Sequence, residues 1–588
     1  MARKNYYSMF FRYVKLLILK NETVGGYVEQ AVAKYGDKPF LLFEEDTYTF
    51  AEFNRRANQR ANFFREQGIV KGDVVPLMME NRPEFVETLI GLGKIGAVTA
   101  GINTNLRGKA LIHSLKVAEG KLAIIGKECM AAYKEAMAEE KVFADDKVFV
   151  DTRWKGGAAA PKGSHNLNKE LESASEAAPP KVKLGSDDLF MYIYTSGTTG
   201  LPKAAKISHL RLVAAGLAFG WYVWGVRETD TIYCALPLYH SNGALLSLGP
   251  AIRNGAALAL SRKFSASLFW EECTKYKATC AIYIGEVLRY LVNQPPGKFD
   301  RKHKVDRVLG NGLRPDIWAE FQKRFKVPHV REFYASTEGN TYLVNLDDVP
   351  GSVGQSLVEP SNMVLVRYDV ESDTYPRDGN GFCVKCKPGE IGELLGKIKG
   401  TTPFAGYSGE QETNKKILRD VFKKGDAYFK TGDLLKQDTA GYYYFIDRIG
   451  DTFRWKGENV STNEVSEILG TYPKLAMANV YGVEIEKSEG RAGMAALIFD
   501  KGAKFDPKKF YTFTEDKLPA YARPLFVRIQ ADMQVTGTFK MTKTELKKEA
   551  FDPAVVKDKL YFRDAKKGTY VAITKKLATD IHSGKLKL

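Results

Sequence analysis

Tyr194-Thr195-Ser196-Gly197-Thr198-Thr199-Gly200-Leu201-Pro202-Lys203-Ala204-Ala205-Lys206 is the stretch on which the reading of this chain turns. Ahead of it, Asp188-Leu189-Phe190-Met191-Tyr192-Ile193-Tyr194 is a short apolar, aromatic-rich run of strand type, and behind it His209 to Val223 has helical character. The expected order is strand, loop, helix. Gly197 and Gly200 let the backbone bend and expose N–H groups, while Thr195, Ser196, Thr198 and Thr199 add hydroxyl donors. Lys203 supplies a positive charge, so the loop suits a polyphosphate. It is not a Walker loop: two residues separate the glycines where that motif has four, and Pro202 precedes the Lys where it has Gly.

Length and composition set the frame. A chain of 588 residues is too long for one core and predicts two or three domains. The formal charge of +17 fits nucleic acid, an anionic membrane surface or polyanionic small molecules, and no basic-aromatic nucleic-acid motif accompanies it. Six cysteines give no disulfide framework. Cys383 and Cys386 form a lone CxxC without the second ligand pair that zinc needs, and read as a loop.

From Gly25 to Lys127 helical and strand patterns alternate: Ala51 to Gln67 is amphipathic, Val74 to Met79 strand-like, Glu84 to Gly96 helical, Ala97 to Ile102 and Leu122 to Gly126 strand-like. Such alternation predicts an α/β fold, a large N-terminal domain of doubly wound sheets. Gly91 to Gly96 matches GxGxxG but follows a helical pattern, so it reads as helix packing and not as a dinucleotide site. Trp154 to Lys183, rich in Ala, Gly, Pro and Ser, reads as a surface excursion. Past Asp347, short Gly-punctuated strands predict a β-rich subdomain, and beyond Gly450 a small mobile α/β domain follows. The expected division is therefore 1–20, 21–449 and 450–588.

The first 20 residues, MARKNYYSMFFRYVKLLILK, lack a signal peptide's cleavage site and the length of a membrane span. Wrapped as a helix, they place Lys4, Arg12 and Lys15 on one face, the pattern of a segment lying in a membrane interface. A helix packed on its own domain or on a partner subunit, as in a homodimer, fits the same pattern. The expected location is a membrane surface on the cytoplasmic side. The terminal Leu586-Lys587-Leu588 only faintly resembles a peroxisomal address.

YTSGTTGLPK resembles the signature loop of the adenylate-forming superfamily, which holds acyl-CoA synthetases, luciferase-like enzymes and peptide-synthetase adenylation domains. The chemistry this implies begins with a carboxylate, a poor acyl donor until transfer to AMP makes a mixed anhydride that a thiol can attack. It calls for a phosphate cradle, a metal, a nucleoside pocket, a cation at the α-phosphate and an acceptor route. Phe333-Tyr334-Ala335-Ser336-Thr337-Glu338-Gly339 resembles the superfamily's YGxTE turn, with Ala335 in place of the usual Gly. By that resemblance Tyr334 stacks on adenine, Ser336 belongs to the nucleotide site, Thr337 contacts the α-phosphate and Glu338 binds Mg²⁺, a hard cation that takes one or two carboxylates when it bridges phosphates. Gly310-Asn311-Gly312-Leu313-Arg314-Pro315 is similar to the loop that closes over adenine, which assigns Asn311 and Gly312 to the nucleotide. Tyr428 to Leu434 resembles the motif whose Asp, here Asp433, accepts both ribose hydroxyls. Arg448 takes a ribose contact on the same ground. In isolation each of these is also an ordinary polar turn or surface pair; their order behind the signature loop sets them apart.

Gly450 where most relatives carry Lys or Asp, together with FRWKGENVS, GNGLRP and Gln534 to Lys540, closely resembles the fatty acid transport proteins, the very-long-chain acyl-CoA synthetase branch, over about residues 25 to 588. The resemblance makes Gly450 the interdomain hinge and Lys540 the cation that bridges carboxylate and α-phosphate oxygens. Leu236 to Gly243 resembles the motif in which His240 borders the acyl site. Leu210 to Trp224 and Ala244 to Ile252 either line an acyl tunnel or form core. The implied function is ATP-dependent activation of long or very-long-chain fatty acids to acyl-CoA through an acyl-adenylate, with ATP, Mg²⁺ and CoA. Two alternatives stay open: adenylation with transfer to a carrier protein, and a fatty acid binding or transport protein in which ATP is regulatory.

Overall fold

In the computed structural model of the chain the described residues are 21–154, 159–196, 202–336, 339–356, 362–370, 372–399, 404, 406–407, 409–456, 458–486, 490–531, 543–583 and 585–586. Two sheets dominate the larger part. A seven-stranded sheet runs in the order His165–Asn166, Val148–Asp151, Ala123–Gly126, Val74–Met78, Val98–Gly101, Leu189–Ser196, Pro202–Ser208, parallel except at its last pair. A nine-stranded sheet runs Gln355–Ser356, Tyr342–Asn345, His329–Ala335, Arg307–Asn311, Cys280–Ile284, Thr231–Cys234, Ala257–Leu260, Pro39–Phe43, Asp46–Thr49, parallel in its middle and antiparallel at both ends.

The inner strands are apolar on both faces because helices cover both faces: Val98–Gly101, Ala123–Gly126 and Cys280–Ile284 are buried at every position. The helix Phe50–Glu66 is set by a capping box, in which the Thr49 hydroxyl accepts from the Glu52 N–H and the Glu52 carboxylate accepts from the Thr49 N–H. Its buried face, Phe53, Ala57, Ala61 and Phe64, meets the helix Pro83–Lys94, where Gly91 lies against the Ala57 carbonyl. The GxGxxG match is thus part of a helix pair. Between these helices the buried Arg60 guanidinium bridges Glu87 at 3.0 Å and Asp151 at 3.1 Å, so the charges it buries are paired.

Further along, Met363–Val366, Ile391–Lys397, Ala427–Gln437 and Ile417–Arg419 form an antiparallel sheet, with Tyr443–Arg448 paired to Ala427–Gln437. After it, a five-stranded sheet of Leu475–Glu484, Arg491–Phe499, Phe526–Ile529, Lys559–Asp564 and Thr569–Ala572 has an apolar core of its own, drawn from Phe453 to Ile581. The architecture is the expected two-part α/β arrangement, doubly wound sheets and a β-rich subdomain followed by a small α/β unit. Among the described residues no helix is long and apolar enough to cross a membrane.

Two expectations are corrected. The signature loop does not join a strand to a helix; it joins two antiparallel strands, with Thr195 opposite Lys203 and Ser196 opposite Pro202, and the helix His209–Ala215 begins only after the second. Pro202 sits at the first position of an edge strand, where its missing N–H costs no ladder bond, and the pairing that makes PKAAKIS a strand comes from its neighbour and not from propensity. Nor is 154–183 all surface: Leu167 and Leu171 are buried, and Asn58, Gln59 and Asn62 bind backbone carbonyls of Glu176, Leu171, Ser175 and Ala177.

Candidate active site

The nine-stranded sheet reverses its winding between Thr231–Cys234 and Cys280–Ile284, and ligands of open α/β sheets bind outside the carboxyl ends of strands at such a point. One candidate stretch leaves the sheet there, and a second leaves it one strand further on. After the first of these strands comes Leu236 to His240, with His240 half-buried at the start of a helical segment and its ring 4.7 Å from that of Tyr239. After Arg307–Asn311 comes the loop through Gly312. The Asn242 amide donates to Asn311 Oδ1 at 2.9 Å, so the expected acyl-site and adenine-site stretches touch.

Glu332, which sequence reasoning passed over, shapes the second loop. Its carboxylate, 2% exposed, accepts the N–H groups of Gly312 and Leu313, each at 3.0 Å, and the Tyr283 hydroxyl at 2.6 Å. Burial pushes its pKa up to about 8, against the pull of those three donors. Gly312 has a φ of +81°, and a Cβ on Gly285 would overlap its carbonyl, so this backbone pair approaches as only Gly permits. The signal for Glu332 was an acid inside the apolar strand HVREFYA. Its meaning needed the facing loop.

Two residues beyond Glu332, the Tyr334 hydroxyl donates to Asp433 Oδ2 at 2.6 Å. Burial and the Asp433 carboxylate hold the Tyr334 hydroxyl protonated, its pKa well above the usual value. Asp433 stands opposite Arg448 in the antiparallel register, with Arg448 Nε 3.9 Å from Asp433 Oδ1. Three residues from separate strands, assigned to adenine and ribose by sequence, therefore lie together. Ser336 Oγ is buried and finds no hydrogen-bond partner among the described residues. The turn after it is gripped from behind: Arg211 Nη1 donates to the Gly339 carbonyl at 2.9 Å.

The hairpin that bears the signature loop is anchored on its sheet by the Tyr194 hydroxyl, which donates to the Ser114 carbonyl at 2.7 Å, and by His113 Nε2, 3.1 Å from the Pro202 carbonyl. Thr195 and Lys203 are half-buried partners across it, and the Lys203 ammonium stands 5.8 Å from the centre of the Tyr407 ring. Gly197, Thr198, Thr199 and Gly200, with Thr337, Glu338, Lys540 and the segment 1–20, lie outside the described residues, as does the side chain of Ser196. Gly450 is exposed, with open space around the position of a Cβ. Among the described residues no group of three or more His, Cys, Asp or Glu is placed to hold a metal. Cys383 and Cys386 are free thiols, the first buried and the second half-buried.

Behind His240 lie two π-helical segments, Gly216–Val223 and Ala244–Leu248, and such turns are frequent at functional sites. Both are largely buried and apolar, with Trp221 exposed at 49%.

A sequence family described as "AMP-binding enzyme" matches residues 28–408. Over 577 residues the chain is 44% identical to a long-chain fatty acid transport protein 2 of Rattus norvegicus, covering 96% of this chain and 91% of that one. It is 38% identical to a medium/long-chain-fatty-acid–CoA ligase of Mycobacterium tuberculosis, with 92% and 87% covered. Its fold matches the crystal structure of an anthranilate CoA ligase in complex with anthranoyl-AMP at a TM-score of 0.78, with 21% identity over 91% of this chain and 98% of that chain.

Proposed function

Since the chain belongs to the AMP-binding enzyme family, on the branch of the long-chain fatty acid transport proteins, we propose that it works as an AMP-forming fatty acid–CoA ligase through the residues assembled above. The observation that carries this reading is the meeting of Tyr334, Asp433 and Arg448 beside the Gly310–Leu313 loop, itself next to the sheet's switch point and joined to the His240 stretch through Asn311 and Asn242. A nucleoside and an acyl group brought there would have their reacting ends adjacent.

Two transfers follow. In the first, a carboxylate oxygen of the fatty acid attacks the α-phosphorus of ATP, and pyrophosphate leaves. In the second, the CoA sulfur attacks the acyl carbonyl, and AMP leaves. Asp433 accepts the ribose hydroxyls, and its bond from Tyr334 fixes the carboxylate so that its oxygens meet the diol. The Tyr334 ring forms the adenine wall. Glu332 holds the facing loop by two of its own N–H groups, and Asn311, whose Oδ1 already accepts from Asn242, offers its amide nitrogen to the base. Ser336 Oγ is a buried donor for a nucleotide oxygen. The hydroxyls and N–H groups of Thr195 to Gly200, with Lys203, cradle the β- and γ-phosphates, Thr337 meets the α-phosphate, and Lys540 neutralises the charge that develops there. By the resemblance of its turn Glu338 would hold Mg²⁺, and the ion would shield the phosphate charge. The acyl chain would run past His240 toward Gly216–Val223 and Ala244–Leu248, whose apolar residues suit a long-chain or very-long-chain acid. Residues 1–20 bring the protein to the cytoplasmic surface of a membrane, where such acids are dissolved, and activation there couples to uptake.

The test is pyrophosphate and AMP release over fatty acids of graded length, with and without CoA. We expect turnover to require CoA and to rise with chain length. In Lys540→Ala we expect adenylate formation to fall by at least about 100-fold while thiolation of a supplied acyl-adenylate persists, since the cation serves only the charge built on phosphorus. Turnover with a carrier protein in place of CoA, or equal loss of both steps in Lys540→Ala, would overturn the respective assignment.

A further inference from the structure

Arg314 follows the adenine-loop residues Asn311, Gly312 and Leu313 directly, yet it does not face the nucleotide strands. Its guanidinium, 8% exposed, turns toward the C-terminal unit and donates from Nη2 to the Glu467 carbonyl at 2.7 Å, in the last turn of the helix Thr462–Gly470. Asp316 holds it in place through two parallel bonds of 3.1 Å, from Nε and from Nη2. The fit is close: a Cβ on Gly470 would overlap the guanidinium.

The other end of the same helix is held as well. Asp447, the neighbour of Arg448, accepts the Thr462 N–H at 2.5 Å and the Thr462 hydroxyl at 3.0 Å, and the Ser461 hydroxyl donates to the Ile446 carbonyl at 3.0 Å. A carboxylate sits at the amino end of the helix and a guanidinium at its carboxyl end, the arrangement that complements the helix dipole at both termini. Lys543, where the described chain resumes after the Lys540 segment, donates to the Thr462 hydroxyl at 2.7 Å and pairs with Asp451 at 3.3 Å.

We propose that Arg314 is a positioning residue that couples occupancy of the adenine loop to docking of the helix Thr462–Gly470, and that the docked arrangement serves adenylation. Both clamps grow out of nucleotide-site strands: Arg314 follows the loop braced by Glu332, and Asp447 lies beside Arg448. A nucleotide that orders the loop orders Arg314, which then holds the C-terminal unit with the Lys543 end of the Lys540 segment on Thr462 and Asp451. For the second transfer the clamp must open, because Arg314 and Glu467 lie on opposite sides of Gly450. The inference rests on the ligase reading and on a pivot near Gly450.

Two variants test it from opposite sides. Arg314→Ala removes the charged donor, and Gly470→Ala crowds it from the helix while leaving every charge in place. A bond from a guanidinium to a partly buried carbonyl is among the stronger kinds, so adenylate formation, followed by pyrophosphate exchange, should fall about tenfold or more in each. Thiolation of supplied acyl-adenylate should be unchanged or faster. Proteolytic cleavage around 449–452, which needs no turnover, should be slowed by AMP or ATP in the wild type and not in the variants. Arg314→Lys, which keeps the charge but not the fork, should fall between. Equal loss of both transfers with preserved nucleotide protection would overturn the coupling, as would selective loss of thiolation. If the wild type shows nucleotide protection but forms no acyl-adenylate from any acid, the ligase reading fails and the coupling stands.

Discussion

Glu332 shows how one side chain can matter to a site without touching its ligand. Its pKa of about 8 lies above the ordinary glutamate value of 4.5, so the proton binds the folded protein more tightly than the unfolded chain. Its contribution to stability is therefore full below about 4.5 and is lost as the pH rises through 8. We expect the wild type, measured against Glu332→Gln, to lose at most about 1.4 kcal/mol per pH unit in that window, read from denaturant midpoints at graded pH. A difference that stays flat with pH would show that the three donors win over burial. The same variant loses one acceptor facing the Gly312 and Leu313 N–H groups, so the KM for ATP should rise more than that for the fatty acid. The sequence offered Tyr334, Asp433 and Arg448 as separate motifs. The bond between the first two, and the brace from Glu332, depend on strands that are neighbours only in the folded sheets.

At the scale of elements, the stretch around Gly450 joins the β-rich sheet to the core that follows it. Ahead of it Tyr443–Arg448 belongs to the β-rich sheet, and behind it Phe453 already packs into the C-terminal core. The Gly450 carbonyl accepts from Lys547 at 3.2 Å, and no atom crowds the place of a side chain. A Cβ there meets no atom within 4 Å, and proline acts by holding φ near −65°. Gly450→Pro should leave the adenylation burst intact and slow thiolation by about tenfold, seen as adenylate that accumulates before CoA consumes it. Normal rates of both transfers would place the pivot elsewhere. Elements were the part most legible in sequence: Phe50–Glu66, Val74–Met78, Pro83–Lys94 and Ala123–Gly126 each lie within a residue or two of the periodicity that announced them. The hairpin was the exception, because PKAAKIS carries no alternation of its own.

At the scale of the whole molecule, the net charge of +17 and the basic, aromatic segment 1–20 carry the proposal of membrane contact. Each basic residue near an anionic surface contributes on the order of 1 kcal/mol, so Arg3, Lys4, Arg12, Lys15 and Lys20 together matter most at low salt. Deleting residues 1–20 should weaken cosedimentation with anionic vesicles and spare turnover of a short, soluble fatty acid. Equal binding by the truncated protein would make the segment a packing element. By itself the sequence determined the family, the fold class and the order of the motifs, because a phosphate loop and an aromatic-acid turn need particular residues at fixed local spacing. Only the tertiary structure decided that the signature loop closes a hairpin, that Glu332 braces the adenine loop, and that Arg314 and Asp447 hold one helix at its two ends. Each of those is a contact between segments far apart in the chain, and local spacing carries no record of which strand becomes whose neighbour.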